Sequence, residues 1–501
     1  MIAPGTVRGL LVAGTTSDAG KSVVTAGICR WLARQGVRVA PFKAQNMSLN
    51  SVVTRDGAEI GRAQAMQAAA AGVEPEAAMN PVLLKPGGNG TTQVMVLGEP
   101  VAEIGAAGYR DLKPRLFGIV LACLADLAGR FDVVVCEGAG SPAEINLADR
   151  DIANMALARA AALPAVVVAD IDRGGVFAAL YGTVALLHPR DQALVAGFVL
   201  NKFRGDAAVL EPGLDMLGRL TGRPVLGVLP WADGIWLDAE DSLALGGAHA
   251  RPPVPPAGPD PLRIAVVGLP RISNFTDVDA LATEPGAVVR FTATPAEVTD
   301  ADLVVLPGSR ATVADLAWLR EQGLADAVTA RAARGRPVLG ICGGYQMLSR
   351  QIHDDVESGA GLVPGLGLLP AVTRFSAGKV LRRCQDTIAG LPVTGYEIHH
   401  GVVHATGGDP FPGGCTAGAV SGTSWHGLLE NDEFRRAYLH QAASTAGRRF
   451  QPGQMSFQAR REQQLDTLGD LITRHTDTAA LQRLIERGAP PGLPFIPPGA
   501  P

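Results

Sequence analysis

Short apolar runs alternate with longer stretches rich in alanine and leucine along the first half of the chain. Runs of this kind, without polar alternation, are typical of strands buried on both faces of a parallel sheet, and the stretches between them are long enough for helices. The pattern therefore predicts repeated strand-helix-strand units. The runs are GLLVAG (residues 9–14), VRVAPF (37–42), DVVVCEG (132–138), PAVVVAD (164–170), GFVLNK (197–202) and PVLGVLP (224–230).

A segment rich in proline and glycine, GGAHARPPVPPAGPD, interrupts this pattern at residues 246–260. Clustered prolines and glycines cannot continue a helix or a central strand, so we interpret this segment as a linker between domains. After it the apolar runs resume with LRIAVVG (262–268), DLVVLPG (302–308) and PVLGICGG (337–344). The sequence therefore predicts two α/β domains, at residues 1–245 and 261–450.

The remaining segment, residues 451–501, differs in composition from both domains. Residues 454–487 have the charged amphipathic pattern of a helix. The final APPGLPFIPPGAP is a Pro-rich tail that we expect to fray. We therefore predict a C-terminal helical extension followed by an irregular tail.

Composition and charge narrow the class of protein. With 501 residues, of which 47% are hydrophobic and 18% charged, the chain is typical of a globular enzyme with more than one domain. Its formal net charge is -4, which gives no sign of the basic surface with which proteins bind nucleic acids and anionic membranes. We therefore expect small-molecule partners, with neither nucleic acid nor membrane among them.

Cysteine usage and the length of the apolar runs bear on location. The 6 cysteines are widely spaced and form no C-x-x-C pair, which argues against a disulfide framework or a zinc site and favours a reducing compartment. No signal-peptide pattern follows Met1, and no segment has the ~18 consecutive apolar residues of a membrane span. The expected location is the cytoplasm.

A Gly-rich loop joins the first predicted strand to a predicted helix. It reads GTTSDAGKS (residues 14–22), with Thr15 where a standard phosphate loop has its first glycine, and it resembles the variant loop of dethiobiotin synthetase-like ATPases. The backbone N–H groups of such a loop hold phosphate oxygens, Lys21 neutralises phosphate charge, and the Ser22 hydroxyl can ligate Mg²⁺. The loop predicts an ATP site that includes Gly14 and Gly20.

Polar residues follow three further predicted strands at the same edge of the sheet. Glu137 directly follows one strand, where its carboxylate can reach the metal, although acids at strand ends are also common turn formers. Asp170 is a candidate for binding the substrate or the metal, with a structural salt bridge as the alternative. Asn201 can hydrogen-bond the nucleotide base or cap a turn.

The segment PVLGICGGYQML (residues 337–348) predicts a strand, a sharp turn that carries Cys342, and a helix. Glycines around the cysteine permit a nucleophile elbow, and the helix N-terminus favours a thiolate and stabilises an oxyanion. Gly343 in the turn and Gly308 at the end of a preceding strand are the predicted oxyanion donors. A buried structural cysteine is the alternative, and it does not explain the flanking glycines.

A cysteine nucleophile needs a base, and His426 in TSWHGLLE is the best candidate. His399 in GYEIHHG is the rival, which we assign instead to the glutamine pocket or the domain interface. The acid that orients the base stays open between Glu430 and Glu397, because Leu428 stands where the usual class I amidotransferase has glutamate. The pair predicts a glutaminase.

Together and in this order, seven motifs resemble those of the cobyric acid synthases, a CobB/CobQ-type amidotransferase family of cobalamin biosynthesis. The resemblance extends over essentially the whole chain, on both sides of the predicted linker. The motifs are GTTSDAGKS, PFKAQNMSLN, CEGAGSPAEINL, ADIDRGGVFA, LGICGGYQML, GYEIHHG and SWHGLLEND.

The resemblance implies a P-loop, dethiobiotin synthetase-like domain joined to a flavodoxin-like class I glutamine amidotransferase domain. It also implies that the b, d, e and g carboxylates of adenosylcobyrinic acid a,c-diamide are amidated with glutamine, ATP and Mg²⁺. The candidates for binding this corrinoid are then Lys43, Gln45 and Asn46. The alternative for Lys43 is that it is an ordinary solvated lysine without a role in binding. Glu59 is a candidate second acid for the metal.

Two other functions stay open. The sister enzyme that makes the a,c-diamide from cobyrinic acid shares the domain order and the chemistry, and a partitioning ATPase fused to an inactive amidotransferase-like sensor shares the fold. The segments PFKAQNMSLN and ADIDRGG favour the later amidations. Intact Cys342 and His426 favour an active glutaminase over a sensor.

Overall fold

The computed structural model describes residues 7–87, 91–232, 234–236 and 260–498, so the predicted linker lies outside the described residues except for residue 260. The strands of the first half are β1 (Gly9–Gly14), β2 (Val39–Phe42), β3 (Gln45–Met47), β4 (Ser51–Val53), β5 (Glu59–Gly61), β6 (Val82–Pro86), β7 (Thr91–Val96), β8 (Glu99–Gly105), β9 (Val133–Glu137), β10 (Ala165–Asp170), β11 (Val195–Phe203) and β12 (Val225–Pro230). Its helices are α1 (Lys21–Arg34), α2 (Arg62–Ala70), α3 (Ala106–Arg130), α4 (Met155–Ala161), α5 (Val176–Ala185), α6 (Pro189–Gln192) and α7 (Glu211–Thr221).

A six-stranded parallel sheet forms the centre of the N-terminal half, in the order β12-β11-β10-β1-β9-β2. All six residues of β1 are buried, because helices cover both faces of the sheet. Helices α3, α4 and α5 contribute to the core on one face, and α1 packs on the other. The predicted strands are present, and the predicted parallel α/β fold is confirmed.

The hydrophobic pattern does not predict a smaller layer between β2 and α3. In this layer β3, β6, β7 and β8 form a four-stranded sheet, and β4 pairs with β5. Strands β3, β4 and β5 have 3 residues each, too few to display an alternating pattern. The layer carries the PFKAQNMSLN segment from the edge of the central sheet into contact with the C-terminal half.

The C-terminal half has its own strands and helices. The strands are β13 (Leu262–Val267), β14 (Ile272–Ser273), β15 (Ala287–Thr292), β16 (Leu303–Leu306), β17 (Gly308–Ser309), β18 (Val338–Ile341), β19 (Gln351–Asp354), β20 (Gly361–Pro364), β21 (Ala371–Ile388), β22 (Leu391–Ala405), β23 (Asp409–Phe411), β24 (Gly414–Ala417) and β25 (Val420–Thr423). The helices are α8 (Asp279–Ala282), α9 (Pro295–Asp300), α10 (Thr312–Glu321), α11 (Leu324–Ala333), α12 (Gly343–Leu348) and α13 (Asp432–Thr445), followed by α14 (Phe457–His475) and α15 (Thr478–Arg487). None of the helices in the described ranges is long and apolar enough to cross a membrane.

A seven-stranded sheet, in the order β15-β13-β16-β18-β25-β24-β23, organises this half. Its pairings are parallel from β15 to β25 and antiparallel at β24 and β23. The α/β fold predicted for this half is therefore confirmed. A separate sheet, β20-β19-β21-β22, contains a long antiparallel hairpin of β21 and β22 that the sequence pattern does not predict, since exposed polar residues occupy much of β21.

The C-terminal extension returns to the N-terminal half. Helix α14 lies against α1, and Leu468 and Ile472 are buried in the core that lies between α1 and the central sheet. Arg30 of α1 pairs with Glu462 at 2.9 Å and with Asp466 at 2.8 Å. The amphipathic pattern predicts these helices, but it does not predict that they cover the first domain.

The Pro-rich tail is anchored at residues 494 and 496, which corrects the expectation that it frays for this part of the tail. Ile496 is buried, and its N–H and C=O each form a 2.9 Å hydrogen bond with the side chain of Gln192. Arg223 donates a hydrogen bond of 2.9 Å to the Pro494 carbonyl. The isoleucine side chain and these backbone groups find partners that the composition of the tail does not reveal.

Candidate active sites

The Gly-rich loop between β1 and α1 is shaped for a bound phosphate. Gly20 has φ +97°, and a Cβ at this position would collide with the side-chain amide of Asn201. The Lys21 ammonium donates hydrogen bonds to the carbonyls of Thr16 at 2.9 Å and Gly140 at 3.0 Å. The loop therefore brings a lysine and a helix N-terminus together at the carboxyl edge of the sheet, where anions bind.

The rest of the predicted loop residues maintain this shape. Thr15 donates its backbone N–H to the Val168 carbonyl at 2.9 Å, which fixes the loop to β10. Asn201, at the end of β11, donates from its side chain to the Ala19 carbonyl at 3.0 Å. Gly14, the last residue of β1, lies against the Lys21 stem. Asn201 thus holds the loop in this structure rather than standing open to a base.

Glu137 lies at the end of β9 and has no exposed surface. Its Oε1 accepts hydrogen bonds from Ser22 Oγ and from Lys43 Nζ, each at 2.9 Å, and its Oε2 accepts one from Gln67 Nε2. A hydroxyl and a carboxylate side by side form the hard oxygen donor set that Mg²⁺ takes, together with phosphate oxygens. The residues predicted to bind the metal therefore lie together and fit this ion.

A cavity of about 450 Å³ opens beside the loop. Lys21, Lys43 and Asn46 are among the predicted site residues that line it, while Gln45 and Asp170 do not. The wall also includes Ile272 and Phe275 of the C-terminal half, so both halves enclose the space. Its location beside the phosphate loop makes it the candidate synthetase site.

Asp170 and Glu59 do not face this cavity. Asp170 Oδ2 lies 2.7 Å from Lys202 Nζ, which corresponds to the structural salt bridge weighed as its alternative role. The Glu59 carboxylate is completely buried and forms ion pairs with Lys85 and, at 2.5 Å, with Lys379. Burial opposes its charge, but the two lysines lower the pKa of Glu59 below its usual range. Its oxygens are therefore occupied by lysines, which argues against the second metal acid.

Cys342 stands at a sharp turn between β18 and α12. Its backbone has φ +49° and ψ -105°, a strained conformation that aims the side chain out of the strand-to-helix turn. A Cβ at Gly343 would approach the Ser309 amide nitrogen to 2.6 Å, so only glycine permits this close packing. The nucleophile elbow predicted from the glycines has the backbone that a reactive cysteine needs.

His426 lies beside Cys342 and is oriented by a carboxylate that the sequence pattern does not indicate. His426 Nδ1 is 2.7 Å from Asp277 Oδ2, and Asp277 Oδ1 accepts the Gly427 N–H at 2.9 Å. Both side chains are buried. The arrangement of thiol, imidazole and carboxylate is that of a nucleophile, a base and the group that orients the base.

The electrostatics of His426 follow from this arrangement. Burial disfavours the charged imidazolium, but the charges and hydrogen bonds of Asp277 and then Cys342 raise the pKa of His426 from 6.5 to about 10. The imidazole is therefore a strong proton acceptor from the thiol. Asp277 also fixes which ring nitrogen faces the carboxylate, leaving the other for the reacting groups.

Neither of the two acids considered from sequence occupies this position, which corrects that expectation. Glu430 follows His426 in the chain, but its carboxylate pairs with Arg62 of α2 at 2.6 Å. Glu397 pairs with Arg382 across the β21–β22 hairpin. Both acids are held by arginines away from Nδ1, whereas Asp277 approaches it from a turn 149 residues earlier.

The sequence pattern does not identify Asp277 as the orienting acid, because the only local signal for this role is weak. It lies in the one-turn segment Phe275–Val278, close to two further buried acids, Asp279 and Glu284. Nothing in the spacing of these residues distinguishes the one that meets His426. Asp277 lies three residues beyond Asn274, the polar turn residue that follows β14. An acid there is consistent with a site at the edge of the sheet, and this position is the only local signal.

The other predicted residues of the glutaminase lie around Cys342. A Cβ built on Gly308 would stand 3.3 Å from His426 Cε1, so its backbone borders the catalytic pair. His399, in the middle of β22, lines a small cavity with Cys342. Both its ring nitrogens lack a hydrogen-bond partner among the described residues, and Glu397 Oε1 is 3.8 Å away. His399 is therefore available to a polar ligand.

A charged pair faces the same small cavity. Arg310 and Glu357 form an ion pair of 2.5 Å, and both line the cavity with Gln346 and Cys342. Burial raises the pKa of Glu357 to about 7, against the opposing effect of Arg310. A guanidinium and a carboxylate next to a nucleophilic thiol are complementary to the two charged groups of an amino acid.

Family models match both halves of the chain. A CobQ/CobB/MinD/ParA nucleotide binding domain matches residues 10–243. A CobB/CobQ-like glutamine amidotransferase domain matches residues 263–434. The two matched ranges carry the phosphate loop and the Cys342–His426 pair, respectively.

Curated relatives match nearly the whole chain. The cobyric acid synthase of Streptomyces coelicolor is 65% identical over 498 residues, covering 98% of this chain and 99% of its own. That of Frankia casuarinae is 64% identical over 516 residues, with the same two coverages. That of Saccharopolyspora erythraea is 61% identical and covers 99% of this chain and 98% of its own. The similarity therefore includes both halves and the C-terminal extension, which packs against the N-terminal half.

Proposed function

Since this chain belongs to the family of cobyric acid synthases, glutamine-dependent ligases of cobalamin biosynthesis, we propose that it amidates the b, d, e and g carboxylates of adenosylcobyrinic acid a,c-diamide. Residues 1–245 bind ATP and the corrinoid, residues 261–450 release ammonia from glutamine, and residues 451–501 complete the first domain. We place the reaction in the cytoplasm, the reducing compartment that the widely spaced cysteines favour. The observation that carries the proposal is the buried Cys342, His426 and Asp277 group in the same chain as a phosphate-loop cavity.

In the glutaminase reaction, Cys342 Sγ attacks the side-chain carbonyl carbon of glutamine after His426 takes the thiol proton. The oxyanion accepts hydrogen bonds from backbone N–H groups at Gly308 and Gly343. His426 then gives its proton to the departing ammonia, and Asp277 stabilises the imidazolium between these steps. Water hydrolyses the thioester, which releases glutamate and restores the thiol.

Recognition of glutamine falls to the charged pair beside the nucleophile. Arg310 binds the α-carboxylate and Glu357 binds the α-ammonium group, since opposite charges within a small enclosed site select an amino acid over a simple amide. His399 forms a hydrogen bond with the bound amino acid, which gives a partner to one of its two unpartnered ring nitrogens. These contacts orient the side-chain amide towards Cys342.

In the synthetase reaction, a carboxylate oxygen of the corrinoid attacks the γ-phosphorus of ATP and ADP departs. The acyl phosphate is needed because a free carboxylate has no adequate leaving group for attack by ammonia. Lys21 and the N–H groups of the loop stabilise the charge that moves during phosphoryl transfer. Ammonia then attacks the acyl carbon, inorganic phosphate departs, and the amide loses a proton.

Mg²⁺ fits the hydroxyl and carboxylate donors at the phosphate loop. Ser22 Oγ and a Glu137 oxygen would hold it, and when bound it would neutralise phosphate charge. Lys43, which already contacts Glu137, keeps a positive charge beside the same carboxylate. Lys43 and Asn46 line the cavity and therefore contact the corrinoid, whereas Gln45 does not line it and pairs with Val82 of β6.

The substrate assignment is tested by incubating the purified protein with cobyrinic acid or with adenosylcobyrinic acid a,c-diamide, each with Mg·ATP and glutamine. Counting amide additions by mass spectrometry distinguishes the two members of the pathway. We expect four additions to the a,c-diamide. Activity on cobyrinic acid alone would assign the chain to the sister reaction instead.

Separate active sites predict separable activities. We expect Cys342→Ser to abolish glutamine-dependent synthesis while synthesis from concentrated ammonium at alkaline pH continues, because ammonium supplies ammonia without the thiol. The wild-type protein assayed with each nitrogen source is the control. Loss of both activities in a folded variant would contradict the division of labour between the two halves.

A further inference from the structure

The backbone of Ser51 is hydrogen-bonded to two residues of the glutaminase half. Its N–H donates to Asn274 Oδ1 at 2.9 Å, and its C=O accepts a hydrogen bond of 3.2 Å from the Tyr396 hydroxyl. The N–H of Asn274 in turn points to the carbonyl of Leu49 at 3.4 Å. One short segment of the synthetase half, residues 49–51, therefore holds two separate elements of the other half.

Both of these elements position His426. Asn274 precedes the one-turn segment Phe275–Val278, which carries Asp277 to His426 Nδ1. Tyr396 stacks on the His426 ring with centroids 5.5 Å apart, and the two residues exchange backbone hydrogen bonds of 3.0 and 2.8 Å. The catalytic imidazole is thus held on one side by the turn and on the other by the tyrosine.

The same contact region forms part of the cavity beside the phosphate loop. Asn50 and Phe275 both line that cavity, together with Lys21. Thr276 Oγ1 donates to Asn50 Oδ1 at 3.0 Å, which joins the two linings directly. Residues 275–277 therefore include both a residue of the synthetase cavity wall, Phe275, and the carboxylate that orients the glutaminase base, that of Asp277.

The turn depends on these contacts for its conformation. Asn274 has φ +48° and ψ +42°, in the left-handed region that non-glycine residues adopt at a cost unless local bonds support it. Its side chain is buried, and the supporting bond comes from Ser51 of the other half. A shift of residues 49–51 therefore changes the support of the turn and with it the position of Asp277.

We propose that residues 49–51, with Asn274 and Tyr396, form an interdomain bracket that couples occupancy of the synthetase cavity to the orientation of His426. A corrinoid and nucleotide against Asn50 and Phe275 hold the bracket in the arrangement that supports glutamine hydrolysis. An empty cavity leaves the turn less firmly supported, so less ammonia is released when no acceptor is ready. This inference rests on the proposed function, because it assigns a coupling role between its two reactions.

The bracket is tested by measuring glutamine hydrolysis with and without adenosylcobyrinic acid a,c-diamide and Mg²⁺ with a non-hydrolysable ATP analogue. In the wild-type protein we expect the ligands to raise kcat about tenfold with the KM for glutamine changed less than about twofold, since the base rather than the glutamine site is affected. Tyr396→Phe removes the hydroxyl and keeps the ring. Each lost bond is worth a factor of about five, so this variant loses most of the response.

Asn274 allows a second, matched pair of variants. Asn274→Gly keeps the left-handed backbone accessible but removes the bond to Ser51, whereas Asn274→Asp keeps an acceptor oxygen and tolerates the same backbone. We expect the glycine variant to lose the ligand response and the aspartate variant to retain it. Tyr438→Phe removes a hydroxyl from a residue that packs with Phe411 and is not part of the bracket, so this variant should respond like the wild type.

Synthesis from ammonium serves as the control for folding, because it needs the synthetase cavity and not His426. Equal hydrolysis by the wild-type protein with and without the two ligands would overturn the bracket. Retention of the full response by both Tyr396→Phe and Asn274→Gly would overturn it as well. A wild-type protein that makes no glutamate at all contradicts the proposed function itself, which is a different outcome.

Discussion

His426 owes its orientation to a carboxylate that lies 149 residues earlier in the chain. The imidazole is buried, so its charge during the reaction has no solvent to stabilise it and must be stabilised by Asp277. Cys342 stands in a strained turn beside it. Each of these residues has a single chemical role, and the precision of their placement comes from three different elements of the C-terminal half.

We expect Asp277→Asn to lower kcat for glutamine hydrolysis about 10²–10⁴-fold, because the neutral amide neither fixes the imidazole tautomer nor stabilises the imidazolium. Synthesis from ammonium should be unchanged. Glu430→Gln is the matched control, since Glu430 pairs with Arg62 and not with the base. A larger loss of hydrolysis in the Glu430 variant than in the Asp277 variant would restore Glu430 as the orienting acid.

The raised pKa of His426 also has a signature in stability. Folding raises this pKa from 6.5 to about 10, so the Asp277–His426 attraction contributes fully below the unfolded value and is lost as pH rises through about 10. We expect the free energy of unfolding lost in Asp277→Asn to be largest at and just below pH 6.5 and to shrink as pH rises from 6.5 to about 10. Urea unfolding of both proteins across this range measures it; a constant difference would contradict the assignment.

How far the site follows from sequence depends on whether its signals are local. Cys342, Lys21 and Glu137 lie at ends of strands that the hydrophobic pattern predicts, so their neighbourhood follows from the chain itself. Asp277 reaches its partner only through the strand order β13-β16-β18-β25 of the sheet and the loops that follow these strands. No spacing rule links two residues so far apart, so the sequence points instead to Glu430 and Glu397, which lie closer to His426 in the chain.

At the scale of elements, the smaller layer joins the two halves through buried charge. Glu59 of β5 lies between Lys85 of β6 and Lys379 of β21, and Ser51 Oγ donates to it at 2.6 Å. Burial lowers the pKa of Lys85 to about 8 despite the opposing charge of Glu59. The two cations are therefore kept in the interior chiefly by one carboxylate.

We expect Glu59→Gln to destabilise the folded protein by about 3–5 kcal/mol, because it leaves two buried lysines without a counter-charge. Glu74→Gln is a matched control, since Glu74 also pairs across the two halves, with Arg383, but both side chains are largely exposed. That substitution should cost less than about 1 kcal/mol. Urea unfolding monitored by tryptophan fluorescence compares the two, and equal losses would contradict the role of the buried cluster.

Whether the sequence predicts a strand depends on how buried and how long the strand is. The hydrophobic pattern predicts the six strands of the N-terminal central sheet, but only β13, β16 and β18 of the C-terminal one. Helices cover both faces of these strands, which produces unbroken apolar runs. Strands β3, β4 and β5 are short and partly polar, and β21 is largely exposed, so neither kind leaves a pattern. The smaller layer and the β21–β22 hairpin, which the pattern does not predict, also contact each other across the two halves.

Over the whole molecule, the chain closes on itself through α14. Leu468 and Ile472 fill the core beneath α1, and a Cβ on Gly27 of α1 would collide with α14. The amphipathic pattern predicts a buried face for this helix but cannot name the surface that covers it. The first domain is therefore incomplete without residues that follow the second.

We expect Leu468→Ala to lower the free energy of unfolding by about 2–5 kcal/mol, through lost apolar burial and the cavity left behind. Thr467→Ala, on the exposed side of the same helix, is the control and should cost well under that amount. If α14 belongs to the first domain, the Leu468 variant should also release bound ATP at lower urea concentration. An unchanged midpoint for ATP release would contradict this docking.

The return of α14 also fixes an order of events during synthesis. Ribosomes build the chain from its N-terminus, and domains generally fold as they emerge. Here one face of the central sheet stays uncovered by α14 and α15 until the whole glutaminase half has been made. The nascent phosphate-loop domain therefore exposes the apolar surface that these helices later cover until residues 457–487 have been made. Exposed surface of this kind is what chaperones bind.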